Sequence, residues 1–199
     1  LKSVKSQSSD WLFCTKHLGY SNYALWIFLM SDLPISTELF NRAMAGNRDA
    51  QFELAEIYMQ SENDEHVALA EEWALKAAQL GHVEAMYWLG EGYAFYAKDM
   101  LEEDPEEAKT YFEHAYRWLE QAAKHKHPAA ILELSNFYRR GDVVEKDVTK
   151  SVELVKQAAE LGEVQAMRDL ACIYEHGLGV DVDDEKADYW HDKAQSAEE

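Results

Sequence analysis

Two imidazoles one residue apart, His125 and His127, are the nearest this 199-residue chain comes to a metal motif. A structural zinc site needs four closely spaced ligands. Here no third ligand stands at a telling distance, so no metal is expected. Asp181, Asp183, Asp184 and Glu185 carry the charge of a calcium loop but lack its required Gly and its terminal Glu spacing. Capping of a following helix explains them more simply. Glu56 and Glu91 could do acid–base work as paired carboxylates, on cell-wall sugars or peptides for instance. A Gly-rich phosphate loop, a Cys-x-x-Cys pair and a nucleophile elbow are all absent from the sequence. Neither a cofactor nor an enzymatic activity is therefore expected. Cys14 and Cys172 are too few for a disulfide scaffold. Two free thiols suit a reducing compartment, and a cytoplasmic location is the expectation, with processed export as the open alternative. The chain opens on Leu1, and Tyr23 to Met30 is its longest apolar run, faintly like a signal peptide. A buried helical segment is the expectation there.

The elements that would position any such residues are helices. The chain has 26 Ala and 20 Leu against 20 Val, Ile and Thr together, which favours helix over strand. Four segments share Ala, Leu four residues on, a small residue at five and Tyr at eight. They are Ala50, Leu54, Ala55, Tyr58; Ala85, Leu89, Gly90, Tyr93; Ala130, Leu134, Ser135, Tyr138; and Ala166, Leu170, Ala171, Tyr174. Their starts are 35, 45 and 36 residues apart. A second pattern follows each, beginning at Trp73, Trp118, Leu154 and Trp190 and continuing into Ala77–Ala78, Ala122–Ala123, Ala158–Ala159 and Lys193–Ala194. Gly81 and Gly162 close the first and third copies as helix ends needing positive φ, and Lys126 takes that place in the second.

These patterns predict four helix–turn–helix units, each a helix A and a helix B. In helix A, positions 0, 4, 5 and 8 form one buried stripe, and the small residue at position 5 admits helix B closely. The units run 49–83, 84–128, 129–163 and 164–199. Before them, 10–48 reads as a degenerate capping repeat behind an extension at 1–9. The second unit holds about ten extra residues near 96–107, expected as an insertion whose Met100 and Leu101 dock back on the array. Asp104-Pro105-Glu106-Glu107 predicts a helix start.

Tyr174-Glu175-His176-Gly177-Leu178-Gly179-Val180, followed by Asp184, Lys186-Ala187, Trp190 and Lys193-Ala194, resembles the Sel-one-like repeat (SLR) family, a relative of the tetratricopeptide repeat. The resemblance covers 50–199. It implies an all-α chain, an α/α superhelix coiled as a right-handed solenoid, that binds other proteins. Cysteine-rich relatives linked to penicillin binding are a poor guide, because their paired cysteines are missing here.

In such a solenoid the A-to-B connections share one edge. Here that edge collects Glu102, Glu103, Asp104, Asp181, Asp183 and Asp184. It is either a solvated rim that caps helices or a landing strip for a basic protein. Residues 49–199 sum to −21 while 1–48 sum to +2, and the whole chain to −19. That charge opposes nucleic acid, and no run approaches the length of a membrane span. A protein or peptide, basic in character, is the expected partner. It would lie in the concave groove, on Phe52, Glu56, Met59, Tyr87, Glu91, Phe95, Leu132, Asn136, Arg139, Arg140, Arg168 and His176. The three Arg residues would meet an acidic segment of that partner or pair internally. An adaptor is the leading expectation; an immunity protein that sequesters a basic toxin is the alternative, and a cell-wall enzyme the least favoured.

Overall fold

Residues 33–61 and 63–198 are described by the structure, a computed structural model. The described residues form nine α-helices and no strand: α1 Thr37–Met44, α2 Arg48–Met59, α3 Asp64–Gln79, α4 Val83–Met100, α5 Pro105–Lys124, α6 Pro128–Arg140, α7 Val148–Glu160, α8 Val164–His176 and α9 Asp184–Ser196. They pair as four successive hairpins, α2 with α3, α4 with α5, α6 with α7 and α8 with α9, and each hairpin packs on the next.

The periodic stripe is the reason for this packing. Ala50, Leu54, Ala55 and Tyr58 are buried, as are Ala85, Leu89 and Gly90, then Ala130, Leu134 and Ser135, then Ala166, Leu170 and Ala171. Tyr93, Tyr138 and Tyr174 close their stripes half-buried. The B helices answer with Trp73, Ala77 and Ala78, with Leu119 and Ala122, with Val155, Ala158 and Ala159, and with Ala187, Trp190 and Ala194. Each large side chain buried this way contributes on the order of 1.5–3 kcal/mol. The small residue at position 5 matters sterically. A Cβ on Gly90 would stand 2.6 Å from Leu119 Cγ, so α5 lies against the bare backbone of α4.

The B-to-A turns repeat one backbone device. After α1, α3 and α7 the chain takes positive φ at Gly46, Gly81 and Gly162, and after α5 it does so at Lys126, φ 61°. Lys126 is the lone non-glycine residue in that conformation among the described residues.

The ten-residue excess of the second unit is not a loop. It lengthens both helices, so that α4 has 18 residues and α5 has 20, where the other A helices have 12 or 13. The cause is visible in the burial. Ala94 and Ala97 extend the α4 stripe inward, and Ala108 and Phe112 meet it from α5. Leu101 to Asp104 alone connect the two helices. Leu101 is 51% exposed and does not dock back, while Met100 is half-buried. Asp104 caps α5, its Oδ1 accepting from Glu107 N at 3.1 Å.

Residues 1–32, with Cys14, the apolar run from Tyr23 to Met30 and most of the expected capping repeat, lie outside the described residues. The described remainder of that segment is α1, which stands in a B-helix position and contributes Leu39, Phe40 and Ala43 to the core.

Candidate functional site

The A helices α2, α4, α6 and α8 bring matching positions of successive units side by side. The position two residues after the first Ala, outside the stripe, holds Phe52, Tyr87, Leu132 and Arg168. The structure does not leave these as one open face. Phe52 is 7% exposed because the imidazole of His82, the residue before α4, covers it with ring centroids 4.5 Å apart. Leu132 is 8% exposed, packed into the core shared by α6 to α9. Both sequence-derived assignments are corrected here: these side chains are buried between units. Tyr87 is half-buried and stacked 4.5 Å from His127, the residue before α6. Burial, and then the nearby Glu91 carboxylate, push the Tyr87 phenol well above its ordinary pKa. Arg168 is exposed and ion-paired with Glu198.

The two covering histidines do the same work twice. Each caps the next A helix, with Nδ1 accepting from Ala85 N at 3.1 Å for His82 and from Ala130 N at 3.2 Å for His127. Each turns Nε2 back to a carboxylate at the start of its own unit, His82 to Asp49 at 3.8 Å and His127 to Glu84 at 3.0 Å. His127 is therefore a joint between units. Among the described residues no group of three or more His, Cys, Asp or Glu is placed to hold a metal ion.

Further along the A helices the side chains do reach solvent. Glu56 and Met59 are exposed on α2, Glu91 and Phe95 on α4, Arg139 and Arg140 on α6, and Cys172 and His176 on α8. Tyr87 Oη donates to Glu91 at 3.2 Å. Arg139 donates to Asn136 Oδ1 at 3.0 Å, and Arg140 Nε lies 3.2 Å from Asp142. His176 Nδ1 lies 3.7 Å from Cys172 Sγ and 3.1 Å from the Cys172 carbonyl. Two of the three distinctive Arg residues thus have internal acidic partners, and Arg139 has a neutral one.

At the A-to-B connections the acidic side chains divide in two. Asp104 and Asp183 are helix caps, and so is Asp147, whose Oδ1 accepts from Lys150 N at 2.8 Å. The Lys186 ammonium, 2.6 Å from Asp183 Oδ2, together with the Lys186 N–H, holds the Asp183 carboxyl below its ordinary pKa. Glu102, Glu103, Asp181 and Asp184 are exposed at the same connections.

The lengthened hairpin adds two residues, Tyr96 and Tyr111, that the sequence patterns did not single out. Tyr96 and Tyr111 stand 6.2 Å apart by ring centroids, Phe95 is 6.2 Å from Tyr96, and Tyr93 is 6.2 Å from Tyr111. Tyr93 Oη donates to Glu71 of α3 at 2.7 Å. The available signal was spacing: Ala94 and Ala97, then Ala108, Phe112 and Ala115, keep the helical 3–4 rhythm through the supposed insertion.

Comparison with known proteins follows the same units. The Sel1 repeat family matches residues 48–82, 83–127, 128–163 and 164–194. The chain is 31% identical over 155 residues to the chitin synthase regulator SKT5 of Saccharomyces cerevisiae, covering 75% of this chain and 21% of that protein. It is 28% identical to the Sel1-repeat-containing protein YjcO of Escherichia coli K12, across 87% of this chain and 74% of YjcO. The crystal structure of c5321, a protective antigen of uropathogenic E. coli with an SLR fold, superposes with a TM-score of 0.66 at 30% identity, covering 80% of this chain and 32% of that one. The chain thus spans about a fifth of SKT5 and a third of c5321.

Proposed function

This chain belongs to the Sel1-repeat family, a family of protein-interaction modules, and we propose that it is a non-enzymatic adaptor that holds a partner protein along its A helices. One observation carries the proposal. Four successive units present exposed, chemically varied side chains six, nine or ten residues after the first Ala, Glu56 and Met59, Glu91 and Phe95, Arg139 and Arg140, Cys172 and His176, above a largely buried stripe. Aromatic residues and Arg are the side chains that most often dominate binding energy. The role of SKT5 as a regulator of chitin synthase is in keeping with it. The concave groove of the solenoid is the proposed seat, and the exposed acids of the connections are the proposed first point of contact.

Charge favours a basic partner. The four units carry −21, and a cationic protein would be steered to them at low salt. The same charge favours a narrower second proposal, an immunity protein that sequesters a basic toxin. That version predicts a toxin gene beside this one and one-to-one binding.

Affinity capture from the source cell, with the wild-type chain and a Met59→Ala/Asn136→Ala/Arg139→Ala variant as baits, tests the adaptor proposal. All three positions are at least partly exposed, so the variant keeps its fold. A partner retained by the wild type and lost by the variant is the expected result. Equal retention by both baits removes the groove assignment.

A further inference from the structure

The lengthened hairpin of the second unit carries two of the three exposed aromatic side chains among the described residues, the third being Tyr189. Phe95 is 67% exposed and Tyr96 46%. Their rings meet edge to face, at an interplanar angle of 73°, so each ring keeps at least one face clear of the other. Tyr111 of α5 adjoins Tyr96 at 40°, half-buried. Aromatic side chains are enriched at protein interfaces relative to the rest of the surface.

The rings sit in a field of one sign. Helical spacing puts Asp99 on the Phe95 side of α4, four residues on, and Glu107 beside Tyr111 on α5, four residues before it, while Glu102 stands in the short connection just past the end of α4. Between 95 and 107 there are six carboxylates and a single ammonium, Lys98. Burial first, and then Glu107 and Glu71, raise the Tyr111 phenol above its ordinary pKa, which places those carboxylates electrically next to the rings.

We propose that this hairpin is a docking post for an arginine-containing segment of a partner, with guanidinium groups laid on the faces of Phe95 and Tyr96 and held by Asp99 and Glu102. A guanidinium is the cation that stacks on aromatic faces and forks to a carboxylate at once. A second copy of this chain fits poorly, because it would bring the same carboxylates together. The inference rests on the adaptor proposal and adds the partner chemistry of one part of the surface.

The test uses the full chain and a short capped peptide with arginine at every third position, titrated at low salt by calorimetry, beside the same peptide with citrulline. Citrulline keeps the shape and removes the charge. The arginine peptide is expected to bind, and the citrulline peptide to bind about tenfold more weakly. Phe95→Ala/Tyr96→Ala should lose about tenfold in affinity, and so should Asp99→Asn/Glu102→Gln, which leaves the rings in place. Asp181→Asn/Asp184→Asn, at the other acidic connection, should stay within about twofold. No binding by the wild type at millimolar peptide overturns the proposal. So does equal loss in the Asp181/Asp184 variant, which would mean diffuse charge, or a dimer that dissociates in Phe95→Ala/Tyr96→Ala. Unaltered binding by both hairpin variants removes the post and leaves the adaptor proposal standing, since capture with the Met59/Asn136/Arg139 variant decides that separately.

Discussion

Lys126 holds φ 61° where the equivalent turns use glycine. A side-chain-bearing residue in that region costs about 1 kcal/mol or more. Lys126→Gly should therefore stabilise the chain by about 0.5–1 kcal/mol, less than the full strain because glycine also gains freedom when unfolded. A rise of roughly 2–3 °C in Tm is the corresponding readout, and a fall would mean the lysine side chain stabilises the turn. His82 gives a pH-dependent counterpart. Its pKa is lowered, by burial foremost and by Arg48 in addition, while Asp49, Glu84 and Glu56 pull the other way. A base whose folded pKa lies below its unfolded value of about 6.5 contributes its stability above that pH. The contribution is lost as pH falls from there through the folded pKa, because a protonated Nδ1 has no lone pair for Ala85 N. His82→Asn keeps a capping oxygen, as Asn47 does for α2. Its urea stability should fall less between pH 7 and pH 5 than the wild type's, by roughly the 1 kcal/mol of one cap. Equal slopes would show that His82 does not titrate against folding. The stripe residues were legible from spacing alone, whereas Phe52 and Leu132 were not. A helical wheel orients a side chain on its own helix, but here the interior is completed by the neighbouring unit, by His82 over Phe52 and by the α6–α9 core around Leu132.

Among the elements, α4 and α5 make the tightest pairing. Gly90 has no room for a methyl group against Leu119, and backbone Leu119 N would also stand 3.2 Å from it. Gly90→Ala should destabilise by about 1–3 kcal/mol through overpacking. Ala55→Gly, at the matching position of α2, should cost about 1 kcal/mol by helix propensity instead. Comparable denaturation midpoints for Gly90→Ala and wild type would show that the two helices can part without penalty. The start of α5 could be read because Asp104-Pro105 is a local signal that no distant contact can override. The length of α4 could not be read in the same way. An excess of residues between two matched patterns looks like an inserted loop, and the Ala94–Ala97 rhythm that continues the helix uses small side chains with weak hydrophobic contrast. The consequence for the candidate site is direct: Tyr96 and Tyr111 became neighbours only once the supposed loop was a pair of helices.

For the molecule as a whole, the acidic charge resolves into two roles. Asp104, Asp147 and Asp183 cap helices, and Glu102, Glu103, Asp181 and Asp184 face solvent at the same connections. The first role is local chemistry, readable from sequence; the second acquires meaning only from a partner. Among the described residues no helix is long and apolar enough to cross a membrane. Whether the exposed A-helix side chains hold a protein partner is decided by calorimetric titration of the captured, purified partner into the wild type and into Met59→Ala/Asn136→Ala/Arg139→Ala, at low and at high salt. One-to-one binding is expected, weakened about tenfold or more in the variant with Tm unchanged, and weakened again by salt. The same affinity for both chains at either salt concentration would contradict it.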